Sequence, residues 1–406
     1  MPLRAKVATS VSKTAAALSR AAGRGDGSVI GGWIGLKIDP DLLRNLAAGR
    51  AIALISGTNG KTTTTRLATA ALGVLGPVAT NGFGANMPTG HTSALAKAGS
   101  TPFAVLEVDE HYLARVIDET NPRVVALLNL SRDQLDRAKE VAMMAQMWRT
   151  ALAGHPDISV VANADDPMVV WAARGASHLT WFSAGQRWTD DSWVCPESGD
   201  PIERANGDWW CTGCSLRRPQ AQWRVEDDGV IDPRGDWHLV KLQLPGTVNL
   251  GNAATALAVA AEFGVRPIEA LPRLATVASI AGRYAQVDRE GRNIRLLLAK
   301  NPASWLEAFD MAEQAPTLLS INARDPDGFD TSWLYDVDFS PLHDRPVLIT
   351  GERAFDLAVR LEVNGIAFRH VLTFEEAIRS VPPGRLEVIA NYTAFQDIRA
   401  ELDRVN

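Results

Sequence analysis

The sequence predicts an α/β protein. A first domain is built on a parallel sheet and interrupted by a small ribbon-like β insertion, and a doubly wound α/β C-terminal domain follows. Three observations predict this. Residues 51–75 read as buried strand, glycine loop and helix. Residues 186–240 break that pattern with three cysteines and an excess of Trp, Pro and Gly. From about Tyr284, short apolar strands alternate with helical segments once more. The expected bounds are 1–283 for the first domain, with its insertion at 186–240, and 284–406 for the second.

Composition narrows the class. With 406 residues, 22% charged and 46% hydrophobic, the chain reads as an ordinary globular protein of more than one domain. A net charge of −6 argues against nucleic acid as the main partner. No apolar run approaches the ~20 residues of a membrane span, and nothing resembles a secretory signal. Arg4, Lys6, Lys13, Arg20 and Arg24 punctuate an alanine-rich start that reads as a basic amphipathic helix. A surface helix packed on the domain is preferred there to a membrane-surface anchor. Gly23 to Asp39 reads as a glycine-rich lead-in, and a short helix runs from Asp39-Pro40 to Ala48.

The run Ala51 to Ile55 is a buried parallel strand, Gly57-Thr58-Asn59-Gly60 a tight loop, and Lys61-Thr62-Thr63 the opening of a helix expected over 63–75. Strand, glycine loop and helix N-terminus form the geometry that holds a polyphosphate. The glycines let backbone N–H groups approach the phosphates, Lys61 supplies positive charge, and the Thr62 hydroxyl can ligate Mg²⁺. A second buried strand, Phe103 to Val108, ends in Glu107-Val108-Asp109-Glu110. Acids at the carboxyl end of a parallel strand sit where ligands bind, so Glu107 is the second magnesium candidate and Glu110 the better fit to a solvated turn. Further strands are expected at 124–130, 159–163 and 239–244, with Ala164-Asp165-Asp166-Pro167 as a turn. Later strands fall at 294–299, 317–321, 346–350 and 386–390. Helices are expected at 303–313, 353–363, 374–380 and 393–402.

Cys195, Cys211 and Cys214 suit a metal or structural site in a reducing compartment better than a disulfide framework. Their spacing is that of a zinc ribbon with Ser198 at the fourth ligand position. Asp200, His238 or water could complete a Zn²⁺ site. Equally, Trp193, Trp209 and Trp210 could hold the ribbon without metal.

The short loop Gly57-Thr58-Asn59-Gly60-Lys61-Thr62 resembles that of the Mur ligase superfamily, which joins carboxylates to amines at the cost of ATP. Arg132-Asp133-Gln134-Leu135-Asp136-Arg137, the ribbon, Lys300-Asn301-Pro302 and the string Asp330-Thr331-Ser332-Trp333-Leu334-Tyr335-Asp336 resemble, more narrowly, the MurT-type subunits. The resemblance covers about residues 30–400. It implies that Asn252 meets the adenine, with Asn249 beside it, and that Arg283 reaches the ATP phosphates. Asn301 is an adenine or interdomain contact. Gln134 and Lys300 stand where amino-acid-adding Mur ligases carry His.

The implied reaction is ATP-dependent amidation of the D-glutamate α-carboxylate in the lipid II stem peptide, at the cytoplasmic face of the membrane. Too little chain precedes the phosphate loop for a UDP-binding domain, which fits a lipid-linked substrate. All three cysteines lie in the ribbon, so ammonia is expected from a partner, the GatD-type glutamine amidotransferase subunit. The resemblance also implies that this chain lends the partner's Cys–His pair its third acid, Asp336 or the close alternative Asp330, with Trp333 and Tyr335 anchoring the segment. Lys61 and Arg283 are the catalytic candidates for phosphoryl transfer. The alternative is an amino-acid-adding Mur or folylpolyglutamate-type ligase.

Overall fold

The computed structural model describes residues 1–22, 27–81, 84–132, 141–278 and 284–404. The chain divides into two compact units. The first spans Met1–Ser131, Glu140–Leu244 and Val248–Ala278; the second takes in Arg132, Pro245–Thr247 and the chain beyond residue 283.

The first unit begins with helices α1 (Leu3–Ala21), α2 (Ser28–Ile38) and α3 (Leu42–Ala47). There follow β1 (Ala51–Ser56), α4 (Lys61–Leu72), β2 (Val78–Thr80), α5 (Pro88–Lys97), β3 (Phe103–Val108), α6 (Leu113–Thr120) and β4 (Val124–Leu127). Next come α7 (Val141–Ala153), β5 (Ser159–Asn163), α8 (Pro167–Ala173), β6 (His178–Ser183) and the hairpin β7 (Ile202–Ala205) and β8 (Asp208–Cys211). The unit closes with β9 (Trp223–Glu226), β10 (Gly229–Ile231), β11 (Trp237–Leu239), α9 (Val248–Glu262) and α10 (Pro267–Leu274). Among the described residues, one sheet runs in the order β11-β10-β9-β6-β5-β4-β1-β3-β2. It is parallel from β2 to β9 and antiparallel across β9, β10 and β11. Central strand β1 is apolar at almost every position because both its faces are covered. Ile52 and Leu54 enter the core on one face, and Ala53 and Ile55 enter the core formed with α4 and α9 on the other.

The second unit holds β12 (Tyr284–Arg289), β13 (Arg292–Leu298), α11 (Pro302–Met311) and β14 (Thr317–Ser320). A 3-10 helix at Ser332–Asp336 precedes β15 (Val347–Thr350), α12 (Ala354–Val363), β16 (Phe368–His370), α13 (Phe374–Ser380), β17 (Gly384–Ala390) and α14 (Tyr392–Asp403). The sheet order is β12-β13-β17-β14-β15-β16, parallel except for β12. One face packs α11 and α12 around the buried Trp305, Phe309, Trp333 and Phe339; the other packs α13 and α14. This is the doubly wound arrangement.

Several elements differ from their sequence reading. The lead-in Gly23 to Asp39 contains helix α2, because Gly31, Gly32 and Gly35 let it close on its neighbours. A Cβ on Gly32 would stand 1.7 Å from the Thr89 carbonyl oxygen. The strand expected at 239–244 is instead Trp237–Leu239, since its ladder to β10 ends at Leu239. The 186–240 insertion is only partly separate: β7 and β8 pair with each other, whereas β9 to β11 extend the main sheet. Strands β12 and β16 were not anticipated. Each lies at an edge, where half-exposed residues carry a weak apolar pattern.

Candidate active site

Helix α4 opens directly on the loop that follows β1. Gly57 has φ 147° and Gly60 φ 82°, conformations that favour glycine. Space is a second constraint. A Cβ on Gly57 would lie 2.8 Å from Leu128 Cβ, and one on Gly60 would lie 2.7 Å from Asn252 Oδ1. The loop is fastened to the segment after β4. The Thr58 N–H donates to the Asn129 carbonyl at 2.9 Å, and the Asn59 N–H to Asn129 Oδ1 at 2.9 Å. Thr58 Oγ1 donates to the Ser131 carbonyl and accepts from the Ser131 N–H, each at 3.0 Å. The strand expected to reach Leu130 ends at Leu127, which frees Asn129 for this task.

That segment is itself held by Asp166. Its Oδ2 accepts from the Leu130 N–H at 2.9 Å, and its Oδ1 caps α8 through the Met168 and Val169 N–H groups. Burial pushes the Asp166 carboxyl up to about 6, against the pull of those three N–H groups and Arg204.

Lys61 begins α4 and is 3% exposed. Its Nζ donates to the Gly57 carbonyl, to the Thr58 carbonyl at 3.0 Å and to Glu110 Oε2 at 2.9 Å. Glu110 is thus a buried partner of the loop lysine, which corrects its reading as a solvated turn residue. The turn after β3 folds back under α7, where Trp148 Nε1 donates to the Glu110 carbonyl at 3.1 Å. Thr62 and Thr63 lie buried in the first turn of α4.

Glu107 sits buried near the carboxyl end of β3, level with Ile55 of β1. Its backbone is fixed on both sides. The N–H donates to Asn81 Oδ1 at 2.8 Å, and the carbonyl accepts from Asn81 Nδ2 at 2.8 Å and His91 Nε2 at 2.7 Å. Because a carbonyl only accepts, His91 carries its proton on Nε2. Burial lowers the His91 pKa to about 4, outweighing the bond to the Glu107 carbonyl, so the ring is neutral near pH 7.

Asn252 on α9 lies against Gly60. Its Oδ1 accepts from Thr64 Oγ1 at 3.0 Å and its Nδ2 donates to Asn249 Oδ1 at 3.0 Å. Gln134 and Arg283 lie outside the described residues.

In the second unit, Asn301 is fully buried and caps α11. Its Oδ1 accepts from the Ser304 N–H at 3.0 Å, while Ser304 Oγ accepts from the Asn301 N–H at 2.9 Å. Asp330 Oδ1 accepts from the Ser332 N–H at 2.8 Å, a turn that leads into the 3-10 helix and lowers the Asp330 pKa. Asp336, at the end of that helix, pairs with Arg132 at 3.2 Å and is about one-third exposed. Trp333 is buried against Trp305, with ring centroids 6.0 Å apart. Tyr335 does not anchor the segment as expected. It is 65% exposed, with the Arg360 guanidinium over its ring, because the 3-10 turn carries it away from the side on which Trp333 is buried.

The ribbon brings Cys195, Cys211 and Cys214 together, with their sulfurs within 4.8 Å of one another. Ser198 Oγ is 3.2 Å from Cys211 Sγ, in the position of a fourth ligand. The Glu197, Gly213 and Leu216 N–H groups point at the three sulfurs. Burial would raise the Cys211 pKa, but the Ser198 and Gly213 hydrogen bonds prevail and bring it down to about 7. His238 is not among the clustered groups and pairs with Asp232 at 3.1 Å in the β10–β11 hairpin. Asp200 is not among the clustered groups.

Residues 55–260 match the Mur ligase middle domain and residues 298–395 the MurT ligase C-terminal domain. The chain is 29% identical to the lipid II isoglutaminyl synthase (glutamine-hydrolyzing) subunit MurT of Staphylococcus aureus strain COL, across 99% of this chain and 98% of that one. The corresponding subunit of Streptococcus pneumoniae R6 is 28% identical over 92% of each chain. Among solved structures, a pseudomurein peptide ligase type C from Methanothermus fervidus superposes with a TM-score of 0.69 at 16% identity, covering 90% of this chain and 81% of that one. MurF from Acinetobacter baumannii gives 0.65 at 17% identity, covering 91% and 80%. These two likenesses concern the fold.

Proposed function

The chain belongs to the Mur ligase family and carries a MurT-type C-terminal domain, and from that premise we propose that it is the ATP-using subunit of a lipid II isoglutaminyl synthase acting in peptidoglycan synthesis. The observation that carries this reading is the near-full-length similarity to MurT subunits in a chain whose phosphate loop is intact from Gly57 to Thr62. The reaction is amidation. The D-glutamate α-carboxylate of the stem peptide takes the γ-phosphoryl group of ATP, releasing ADP. Ammonia then attacks the acyl phosphate, phosphate leaves, and a proton is lost to give D-isoglutamine.

In this reading the N–H groups of the Gly57–Gly60 loop and α4 cradle the phosphates. Lys61 and Arg283 offset the charge that builds up as the phosphoryl group transfers. Glu110 keeps the Lys61 ammonium paired and aimed at the loop. Thr62 and Glu107 would hold Mg²⁺, which would supply Lewis-acid neutralisation of phosphate charge. Their hard oxygen donors, at the start of α4 and the end of β3, suit that ion. Asn252, with Asn249, borders the nucleotide beside Gly60.

The three thiols here face one another and Ser198, which is no setting for a glutaminase nucleophile. Ammonia therefore comes from a GatD-type glutaminase partner, and Asp336 or Asp330 supplies the acid that orients the partner's histidine. The thiol cluster suits Zn²⁺ held by Cys195, Cys211 and Cys214, with Ser198 Oγ or water as fourth ligand, in a structural role. The lipid-linked substrate places the enzyme at the cytoplasmic face of the membrane. The test is co-expression with a glutaminase of this type, followed by an assay of glutamine-, ATP- and lipid II-dependent amide formation. ADP release that requires an added amino acid would point instead to an amino-acid-adding ligase.

A further inference from the structure

Helices α1 and α2 are built inside out. Helix α1 buries Ala5, Ala8, Ser12 and Ala16, all small. Its large apolar residues Leu3, Val7, Val11 and Leu18 are exposed, Leu3 at 79% and Leu18 at 65%. Their spacing gathers them along one face. Helix α2 repeats the pattern. It buries Gly31, Gly32 and Gly35 and exposes Val29, Ile30 and Trp33, the last at 51%. The two helices run antiparallel: Gly27 lies beside Ala16, Gly35 beside Ser12, and Arg4 Nε donates to the Ile38 carbonyl at 2.6 Å. Small-against-small packing holds the pair together and leaves the branched and aromatic side chains displayed. A water-facing surface helix shows the reverse pattern.

Charge says what covers this face. Residues 1–38 hold Arg4, Lys6, Lys13, Arg20, Arg24 and Lys37 against the single acid Asp26, in a chain whose net charge is −6. Lys6 and Lys13 are exposed alongside the apolar stripe of α1, and the Lys37 ammonium lies 5.6 Å from the Trp33 ring centroid. A second copy would bring an equally basic face against this one. An anionic bilayer complements both properties, taking the apolar side chains and Trp33 at its interface and the lysines among its headgroups.

We propose that the exposed face of α1 and α2 docks the protein on anionic lipid. This deepens the membrane-face reading above, but it is tested without substrate or nucleotide, so failure of the amidation reading leaves it standing. The probe is co-sedimentation of the full chain with vesicles of phosphatidylglycerol and phosphatidylcholine, compared with phosphatidylcholine alone. The full chain binds the anionic vesicles, more weakly as salt rises. The pair Leu18→Ser and Trp33→Ser weakens binding about tenfold or more, because it removes buried apolar area at the interface. The pair Lys6→Gln and Lys13→Gln weakens it and flattens the salt dependence. Both pairs alter exposed positions, and an unchanged melting temperature verifies folding. Absence of binding to anionic vesicles, equal binding to neutral ones, or binding that survives both pairs of substitutions would overturn the proposal. A dimer broken by Leu18→Ser and Trp33→Ser, without vesicle binding, would assign the face to a second copy instead.

Discussion

Lys61 Nζ lies 2.9 Å from Glu110 Oε2, and both side chains are almost wholly buried. The ammonium and the carboxylate thus depend on each other at the opening of α4. Glu110→Gln leaves the buried ammonium without its counter-charge and is expected to destabilise the protein by about 3–5 kcal/mol. Lys61→Ala is expected to lower ATP-dependent amidation at least about hundredfold, because the loop loses the positive charge proposed to offset the phosphates. Partner binding should survive it. Denaturant melts and co-purification check the two halves, and near-normal amidation by Lys61→Ala would mean that the nucleotide binds elsewhere.

Asp336 and Asp330 separate in their local duties. Asp330 accepts from the Ser332 N–H, whereas Asp336 ends the 3-10 helix beside Arg132. If Asp336 orients the partner's histidine, Asp336→Asn slows glutamine-driven amidation strongly and spares amidation driven by free ammonium. Asp330→Asn keeps an oxygen for Ser332 and should leave both rates near normal, while Asp330→Ala costs about 1 kcal/mol of stability. A glutamine-specific defect confined to Asp330→Asn would transfer the role to that residue.

Much of this site was legible in the sequence because its signals are local. The glycine loop, Lys61 and the Glu107 strand end lie within short stretches whose strand and helix periods are clear. Glu110 was misread because its burial depends on Trp148 and Lys61, both distant in sequence. Asn129 was hidden inside an apolar run that reads as strand, and only the register with β1 and β5 shows where that strand stops. Helix α2 was lost because glycines argue against a helix in isolation. Here they stabilise one by close approach, a tertiary effect that composition does not reveal.

The ribbon makes a metal prediction. Three thiols and the Ser198 hydroxyl form an incomplete Cys₄ set. Purified protein is expected to carry zinc that chelators remove readily. Ser198→Cys should raise zinc affinity at least about tenfold by completing the thiolate set. Metal analysis alongside chelator titration reads both, and wild-type protein without zinc would show a ribbon held by packing alone.

His91 makes a pH prediction. Its folded pKa, about 4, lies below the ordinary 6.5. The unfolded chain therefore binds more protons than the folded one between those values, so the His91 contribution is fully present above pH 6.5 and is lost as pH falls toward 4. Asp166, raised to about 6, acts in the opposite sense, favouring the folded state as pH falls from 6 toward 4. Comparison with His91→Gln cancels the Asp166 effect. The stability of wild type relative to His91→Gln should be flat above pH 6.5 and fall below it, by no more than about 1.4 kcal/mol per pH unit. A difference that does not change with pH would mean that His91 is not held neutral.

The most direct measurement of the central claim is mass spectrometry of the stem peptide after incubating lipid II, ATP and glutamine with this chain and its glutaminase partner. The predicted product carries an amino group in place of one hydroxyl, located by fragmentation to the D-glutamate α-carboxylate, with one ADP released per amide. Omitting either chain or ATP abolishes it. An unmodified stem peptide despite ATP turnover by the assembled complex, or an amide at another carboxylate, would contradict the account.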